Sequence, residues 1–353
     1  MAASISQKNC RLEIGEKRKR DCFVASLLIG LLAMTIGLAG CGQKPYHKES
    51  RFLMWTLVEI TCQDKLAINA AFDEIKRIEK IANKFDPSSE VSQLNANGEI
   101  KASKDLFNLV KESIHIYSLS DGAFDITINP LADLWKNKIK KARNPQKEVT
   151  LPSPREIEDK LALVGSDKIL IDENNSVIRF TQPGVTIDLG GIAKGYAVDM
   201  AVKRLKEFGV NSALINAGGN IYCLGKKNNR PWHIGIQHPR NPDKIYFYLD
   251  LENQAVATSG DYQQFFVSKG RRYSHIIDPR NGYPVENKIL SATIIANNAT
   301  IADGLSTTVF VLGKEKGVEL LKKMRDNIDF RIIEQAQKGP GPFLKGEDGE
   351  NNS

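Results

Sequence analysis

Asp303 and Thr307 stand four residues apart in the run Thr300-Ile301-Ala302-Asp303-Gly304-Leu305-Ser306-Thr307. On a helix, positions i and i+4 share a face, so a carboxylate and a hydroxyl would point the same way. Two hard oxygens side by side suit Mg²⁺, which takes oxygen ligands, keeps several waters and shares substrate phosphates. An aspartate near a helix start serves equally well as a cap, so the pair gains its interest from a second segment, Val185-Thr186-Ile187-Asp188-Leu189-Gly190-Gly191-Ile192-Ala193-Lys194-Gly195. Here a strand is expected to end at Asp188, two glycines follow, and a helix is expected to begin near Ile192. Glycines let a ligand approach the backbone closely, free N–H groups at a helix start attract phosphate, and Lys194 adds a cation. Neither G-x-x-x-x-G-K-[ST] nor G-x-G-x-x-G is present. The residues alone leave two readings open, a phosphate site or an ordinary strand-to-helix turn.

Two further segments carry candidate chemistry. Ala257-Thr258-Ser259-Gly260-Asp261-Tyr262 is followed by Tyr273-Ser274-His275-Ile276-Ile277-Asp278-Pro279-Arg280-Asn281-Gly282, where His275 precedes a Pro/Gly turn that could set it at a rim. Asp121-Gly122-Ala123-Phe124-Asp125-Ile126-Thr127 reads as a turn leading into an apolar strand. In isolation, a structural histidine and a plain loop with a packed Phe account for both.

The elements that must position these residues follow from hydrophobic spacing. Residues 51–62 read as a strand, 66–82 as an amphipathic helix, 84–98 as a polar loop and 105–119 as a second helix. A lysine-rich stretch, 136–154, reads as a surface excursion before a helix at 155–163. Short strands are expected at 168–172, 177–180 and 185–188, then a helix over 192–208. Strand-like runs dominate afterwards, at 213–215, 232–237, 245–251, 255–258, 274–277 and 292–295, and helices return at 301–312 and 316–325. Strands mixed with helices without βαβ regularity indicate an α+β fold.

With 353 residues, 41% hydrophobic and 26% charged, the chain has the composition of a globular protein. Of its net charge of +7, residues 1–40 contribute six Lys/Arg against three acids, so the remainder carries +4. So mild an excess, with no basic stripe bearing interleaved aromatics, gives no reason to expect nucleic acid as a partner. The N-terminus reads as a targeting segment. Lys17-Arg18-Lys19-Arg20 precedes an apolar run from Phe23 to Leu38 and then Ala39-Gly40-Cys41, the layout of a secretory signal. Its Leu38-Ala39-Gly40-Cys41 ending resembles a bacterial lipobox, in which the Cys is acylated. Residues 1–40 are then a signal peptide, 41–50 a tether, 51–337 the working domain, and 338–353, rich in Gly, Glu and Asn, a disordered tail. Beyond Cys10, Cys22 and Cys41, only Cys62 and Cys223 remain. They read as buried thiols, with a disulfide permitted outside the cytoplasm.

Taken in order, these segments resemble the ApbE-type family of FAD:protein FMN transferases, over about residues 54–321. The resemblance implies an α+β, T-fold-like arrangement of mixed sheets and helices, with FAD in a cleft and FMN transferred to Ser/Thr of a protein. Typical acceptors would be subunits of Na⁺-translocating NADH:quinone reductase or Rnf-type complexes. By position, it implies flavin contacts at Met54, Phe85, Ala123, Phe124, Asp125, Asp188, Lys194, Ser259 and Ile277. It implies Mg²⁺ ligands at Gly191 (through its carbonyl), Asp303 and Thr307, and a catalytic role for His275. The family's Met-Gly-Thr reads Met54-Trp55-Thr56 here, and Ser306 stands where some members carry Asp. The expectation is a lipid-anchored, Mg²⁺-dependent flavin transferase at a bacterial cell membrane, facing the periplasm or exterior. The alternatives are an FAD pyrophosphatase, in which water replaces the acceptor, and an FAD-binding lipoprotein.

Overall fold

The computed structural model describes residues 45–142, 151–261, 265–268, 271–324, 328–335 and 344–345. The proposed signal segment and Cys41 lie outside them. The chain opens with strands β1 (His47–Leu53) and β2 (Thr56–Cys62), then α1 (Lys65–Ala82), α2 (Glu90–Asn97), β3 (Glu99–Lys101) and α3 (Lys104–Leu119). A 3₁₀ turn at Ile126–Ile128 leads into α4 (Asn129–Ala142), followed by α5 (Pro154–Leu161), β4 (Ile169–Asp172), β5 (Val177–Phe180) and α6 (Ala193–Glu207). Seven strands come next: β6 (Ala213–Ala217), β7 (Asn220–Leu224), β8 (Trp232–His238), β9 (Asn241–Leu251), β10 (Gln254–Gly260), β11 (Phe265–Ser268) and β12 (Arg271–Ser274). The series closes with β13 (Ile289–Ala296), α7 (Ala299–Leu312), α8 (Lys314–Lys323), β14 (Asp329–Glu334) and β15 (Leu344–Lys345).

Eight strands form one antiparallel sheet in the order β1-β2-β6-β7-β10-β13-β14-β15. Successive side chains of a strand point to opposite faces, and here both faces are covered. Tyr222, Leu224, Ala255, Ala257, Ile294 and Ile332 join the core under α1, α6 and α7. The alternate residues Cys223, Val256, Ile295 and Ile333 meet Trp232, Ile234, Phe247 and Leu249 of the β8–β9 ribbon. The mixture of sheets and helices is the α+β class expected. Helix α1 shows why the sequence was readable here. Asp64 caps it, accepting from the N–H groups of Leu66 (2.8 Å) and Ala67 (3.1 Å). Its apolar stripe of Ile68, Phe72, Ile75 and Ile78 is buried.

Several expectations need correction. A tether over 41–50 is too long, because β1 takes in His47–Ser50 and pairs His47 with Cys62. A wholly disordered tail over 338–353 does not hold, because Leu344–Lys345 adds a short strand to β14. Residues 84–98 contain α2, capped by Ser89 at one end and closed by left-handed Gly98 at the other. The run after Phe124 is a 3₁₀ turn and helix, because the Asp125 carboxylate accepts from the Thr127 N–H and turns the chain there. The lysine-rich stretch begins as the end of α4. Residues 185–189 are extended but form no ladder. Their polar groups are met by the Asn95 side chain, which bonds both the N–H and C=O of Ile187, and by Ile126 O, which accepts from Asp188 N. Cys62 and Cys223 are free, buried thiols belonging to cores on opposite faces of the sheet. Among the described residues no helix is long and apolar enough to cross a membrane.

Candidate active site

The site begins where α6 crosses α7. An added Cβ on Gly195 would lie 2.1 Å from the Ala299 carbonyl oxygen and 2.8 Å from Asp303 Cβ. Only glycine permits this approach, and it lets each helix cap the other. Helix α6 has no side-chain cap of its own. Instead its Gly195 N–H donates to Asp303 Oδ2 at 3.0 Å. In return Asp199 of α6 accepts from the N–H groups of Ala299 (2.7 Å) and Thr300 (2.8 Å), at the start of α7. Asn298 adds the local cap, accepting from Ile301 N–H at 2.8 Å. A carboxylate at a helix start is stabilised by the exposed N–H groups and the helix dipole, by up to about 2 kcal/mol when partly buried. Asp303 is thus a cap, but of the neighbouring helix.

Its electrostatics are unbalanced. Burial pushes the Asp303 carboxyl above the usual carboxylate range, and Lys194, the Gly195 N–H and the Asn220 side chain oppose that only in part. Lys194 Nζ stands 3.8 Å from Asp303 Oδ2 and donates to Gly190 O at 3.2 Å. Burial likewise raises Asp199, against the bonds from Thr300 and Ala299.

One turn along α7, Thr307 joins a hydroxyl cluster. Ser259 Oγ lies 2.8 Å from Ser306 Oγ and 3.3 Å from Thr307 Oγ1. Gly191 completes this face, since a Cβ there would come 3.7 Å from Thr307 Oγ1 and 3.1 Å from the Phe124 ring. Asp303, Thr307, Gly191, Lys194, Ser259 and Phe124 are therefore brought together. The donor set fits Mg²⁺: one buried carboxylate lacking a full countercharge, neighbouring hydroxyls, and a glycine leaving space beside them. Among the described residues there is no cluster of three or more His, Cys, Asp or Glu, so substrate oxygens and water would supply the other ligands.

The remaining candidates form a rim. Asp188 Oδ1 accepts from Gly190 N–H at 2.8 Å, and its Oδ2 pairs with Lys84 Nζ at 2.9 Å. Lys84, missed in the sequence, is a hub that also reaches Asp133 at 3.1 Å and bonds Asn129. Burial lowers its pKa, but Asp188 and Asp133 outweigh burial and leave it raised. Next to it, Phe85 is 54% exposed and meets Trp55 edge-on, with centroids 6.1 Å apart. Met54 and Trp55 form the β1–β2 turn, both in the left-handed region, with φ of 51° and 61°, a conformation costing an L residue about 1–2 kcal/mol. The Met54 N–H donates to Glu79 Oε1 at 2.7 Å.

Three candidates turn out otherwise engaged. Asp125 accepts from Thr127 N, Thr127 Oγ1, Ser166 N and Ser166 Oγ. Its carboxylate pins two loops together, and its carbonyl accepts from Ile128 N–H at 3.4 Å. Ala123 is buried in the same turn. Ile277 packs with Leu131, Trp135 and Ile157 in a small separate core. His275 is exposed just beyond β12. Three cavities, of about 480, 370 and 660 Å³, lie elsewhere, beside Asp199 and Tyr222, beside Asp125 and Arg280, and beside Trp135 and Tyr283. None is lined by Asp303, Thr307 or Lys194, so the expected cleft is not one of these.

With this geometry in place, comparison with known proteins is direct. A profile of the ApbE family matches residues 54–332. The chain belongs to the ApbE family. One ApbE relative, the FAD:protein FMN transferase of Haemophilus influenzae, is 31% identical over 89% of this chain and 94% of its own. The solved ApbE protein of Thermotoga maritima superposes with a TM-score of 0.74 at 34% identity, covering 86% of this chain and 97% of that one. The flavin transferase ApbE of Vibrio cholerae gives 0.73 at 26%, with the same coverage.

Proposed function

We propose that this protein is a Mg²⁺-dependent FAD:protein FMN transferase that cleaves the FAD pyrophosphate, attaches FMN to a Ser/Thr hydroxyl through a phosphoester, and releases AMP. The observation that carries this reading is the buried, incompletely compensated Asp303 carboxylate beside Thr307, Gly191 and Lys194. Mg²⁺ held by Asp303, Thr307 and the Gly191 carbonyl would supply charge neutralisation at the pyrophosphate. Lys194 places a second positive charge on the same face, and the Gly191 N–H can take a phosphate oxygen, since Gly190 is held by Asp188 and Lys194. Ser259 orients Thr307 through their shared hydrogen bond. His275, exposed beyond β12, would take the proton of the acceptor hydroxyl.

The acceptors would be extracytoplasmic Ser/Thr-bearing polypeptides, with Na⁺-translocating NADH:quinone reductase and Rnf-type subunits as candidates. Acylation of Cys41 would hold the enzyme at the bacterial membrane beside them. Incubation with FAD, Mg²⁺ and such a subunit, followed by mass spectrometry, tests the activity. An acceptor gaining the mass of FMN with AMP released is expected, whereas free FMN and AMP without an adduct would instead identify a pyrophosphatase. For the anchor, Cys41→Ser is expected to leave a longer, unlipidated precursor, and normal maturation of that variant would sink the lipoprotein reading.

A further inference from the structure

The segment that delivers the glycine turn has no strand to lean on. Residues 185–189 are extended without a ladder, so side chains must fix what a neighbouring backbone would otherwise fix. Asn95 holds the Ile187 backbone, at 2.9 Å and 2.7 Å. Successive side chains of an extended run point to opposite faces, so Thr186 and Asp188 share one. Both lead to Lys84. Thr186 Oγ1 accepts from Asn129 Nδ2 at 2.9 Å, and Asn129 Oδ1 in turn accepts from Lys84 Nζ. Asp188 Oδ2 meets Lys84 Nζ directly at 2.9 Å.

The Lys84 side chain is only 10% exposed. An ammonium has three N–H donors, and oxygens of Asn129, Asp133 and Asp188 take them. The lysine therefore has no donor left for a substrate, and its work lies in what it holds. Asp188 gives its other oxygen to Gly190 N–H at 2.8 Å. The next residue, Gly191, is the one beside Thr307 Oγ1 and the Phe124 ring. A continuous line of contacts thus runs from Lys84 through Asp188 to the glycine turn. Without the lysine, the Asp188 carboxylate would gain by turning its charge to water, and Gly190 N–H would lose its acceptor. Outer partners that orient ligand groups are worth about 10–100-fold in metal affinity or activity. Resting on the flavin-transfer reading above, we propose that Lys84 is a positioning residue: by clamping Thr186 and Asp188 it fixes the Gly190–Gly191 turn for Mg²⁺ and pyrophosphate while touching neither.

The test compares the full chain with Lys84→Met, Lys84→Arg and Asp133→Asn. Two readouts need no turnover: hydrogen exchange of the Gly190 amide by NMR in metal-free protein, and calorimetric titration with Mg²⁺ alone. Lys84→Met is expected to speed Gly190 exchange and to weaken Mg²⁺ binding by about 10–100-fold. Lys84→Arg keeps the charge and should recover most of both. Asp133→Asn removes a partner of Lys84 that does not lead to the turn, and should leave both unchanged. Should Lys84→Met not fold, Lys84→Gln keeps a polar group for Asn129 and carries the same expectation. A lower melting temperature with Gly190 exchange and Mg²⁺ affinity unaltered would make Lys84 a stabilising residue only and overturn the proposal. An equal loss in Asp133→Asn would also overturn it, because the effect would then belong to α4. Absence of FMN transfer by the unmodified chain would instead sink the flavin-transfer reading, and the Gly190 exchange rates, which need no ligand, tell that failure apart.

Discussion

The α6–α7 crossing and the β1–β2 turn invert ordinary residue partition in opposite directions. At the crossing, carboxylates that belong in water are buried or partly buried and fixed by backbone N–H groups. At the turn, aromatic rings that belong in the core stand in solvent, 70% exposed for Trp55 and 54% for Phe85. Exposed single apolar residues are common, whereas buried charge and clustered exposed aromatics are informative. The Lys84–Asp188–Gly190 chain links the two anomalies. The crossing admits no atom added at Gly195, while the turn leaves two rings in solvent.

Substitutions can break this contrast, and the largest effect is expected at Asp303. Asp303→Ala removes both charge and cap, and FMN transfer should fall on the order of 10³-fold, with FAD affinity falling less. Asp303→Asn keeps an acceptor for Gly195 N–H, so if capping were its whole role, Asn would restore the rate. Assays of the two variants across Mg²⁺ concentration decide the matter. Next comes Gly195→Ala, whose Cβ would collide with backbone rather than a flexible side chain. A loss of about 3 kcal/mol is expected, read by denaturant unfolding. His275→Asn, off both regions, should slow the saturated rate by about 10²-fold. It should also abolish the acid limb of the pH–rate profile. A near-normal saturated rate would remove His275 from the chemistry.

A smaller effect sharpens the electrostatic half of the comparison. Burial holds Asp303 above the usual carboxylate range. Its protonated form is therefore the one the fold favours, and that contribution is complete below the unfolded value, about 3.9. It is lost as pH rises through the raised folded value. In metal-free protein, Asp303→Asn should thus gain on the wild type in unfolding free energy as pH climbs from about 4 to 7. Added Mg²⁺ should raise the melting temperature of the wild type and not of the variant. The smallest change is at the turn, where Trp55→Gly should alter stability by no more than about 1 kcal/mol, because relief of the left-handed backbone offsets the lost Phe85 contact.

The sequence showed those parts of the site whose signals are local. The i, i+4 relation of Asp303 and Thr307 is a property of one helix, and α7 does set Asp303 against Gly195 and Thr307 beside Gly191 and Ser259. The stripe of α1 and the start of α6 after two glycines were equally plain. What stayed hidden depends on partners far along the chain. Asp199 reads as a polar residue on an ordinary helix until Ala299 and Thr300 are seen above it. Lys84 sits in a segment read as loop, and its importance comes from Asp133 and Asp188. Residues 185–189 carry strand-like composition, but a strand needs a neighbouring backbone, and here the neighbour is the Asn95 side chain. A helix start with no cap of its own, at Ile192, was the available clue that an acid must arrive from elsewhere.

The reciprocal caps also set a schedule. Gly195 and Asp303 are separated by 108 positions, and Asp199 and Ala299 by 100. During synthesis the first helix of the pair emerges with its Gly195 N–H unanswered, and every strand from β6 to β13 must follow before the answering carboxylate exists. Each helix start is completed by the other, so the face carrying Lys194 and Asp303 closes only after residue 303 has been made. A chain halted before residue 299 would hold the glycine turn and the exposed rings of Trp55 and Phe85 while lacking Asp303, and the α6–α7 crossing closes only when nearly the whole domain is in hand.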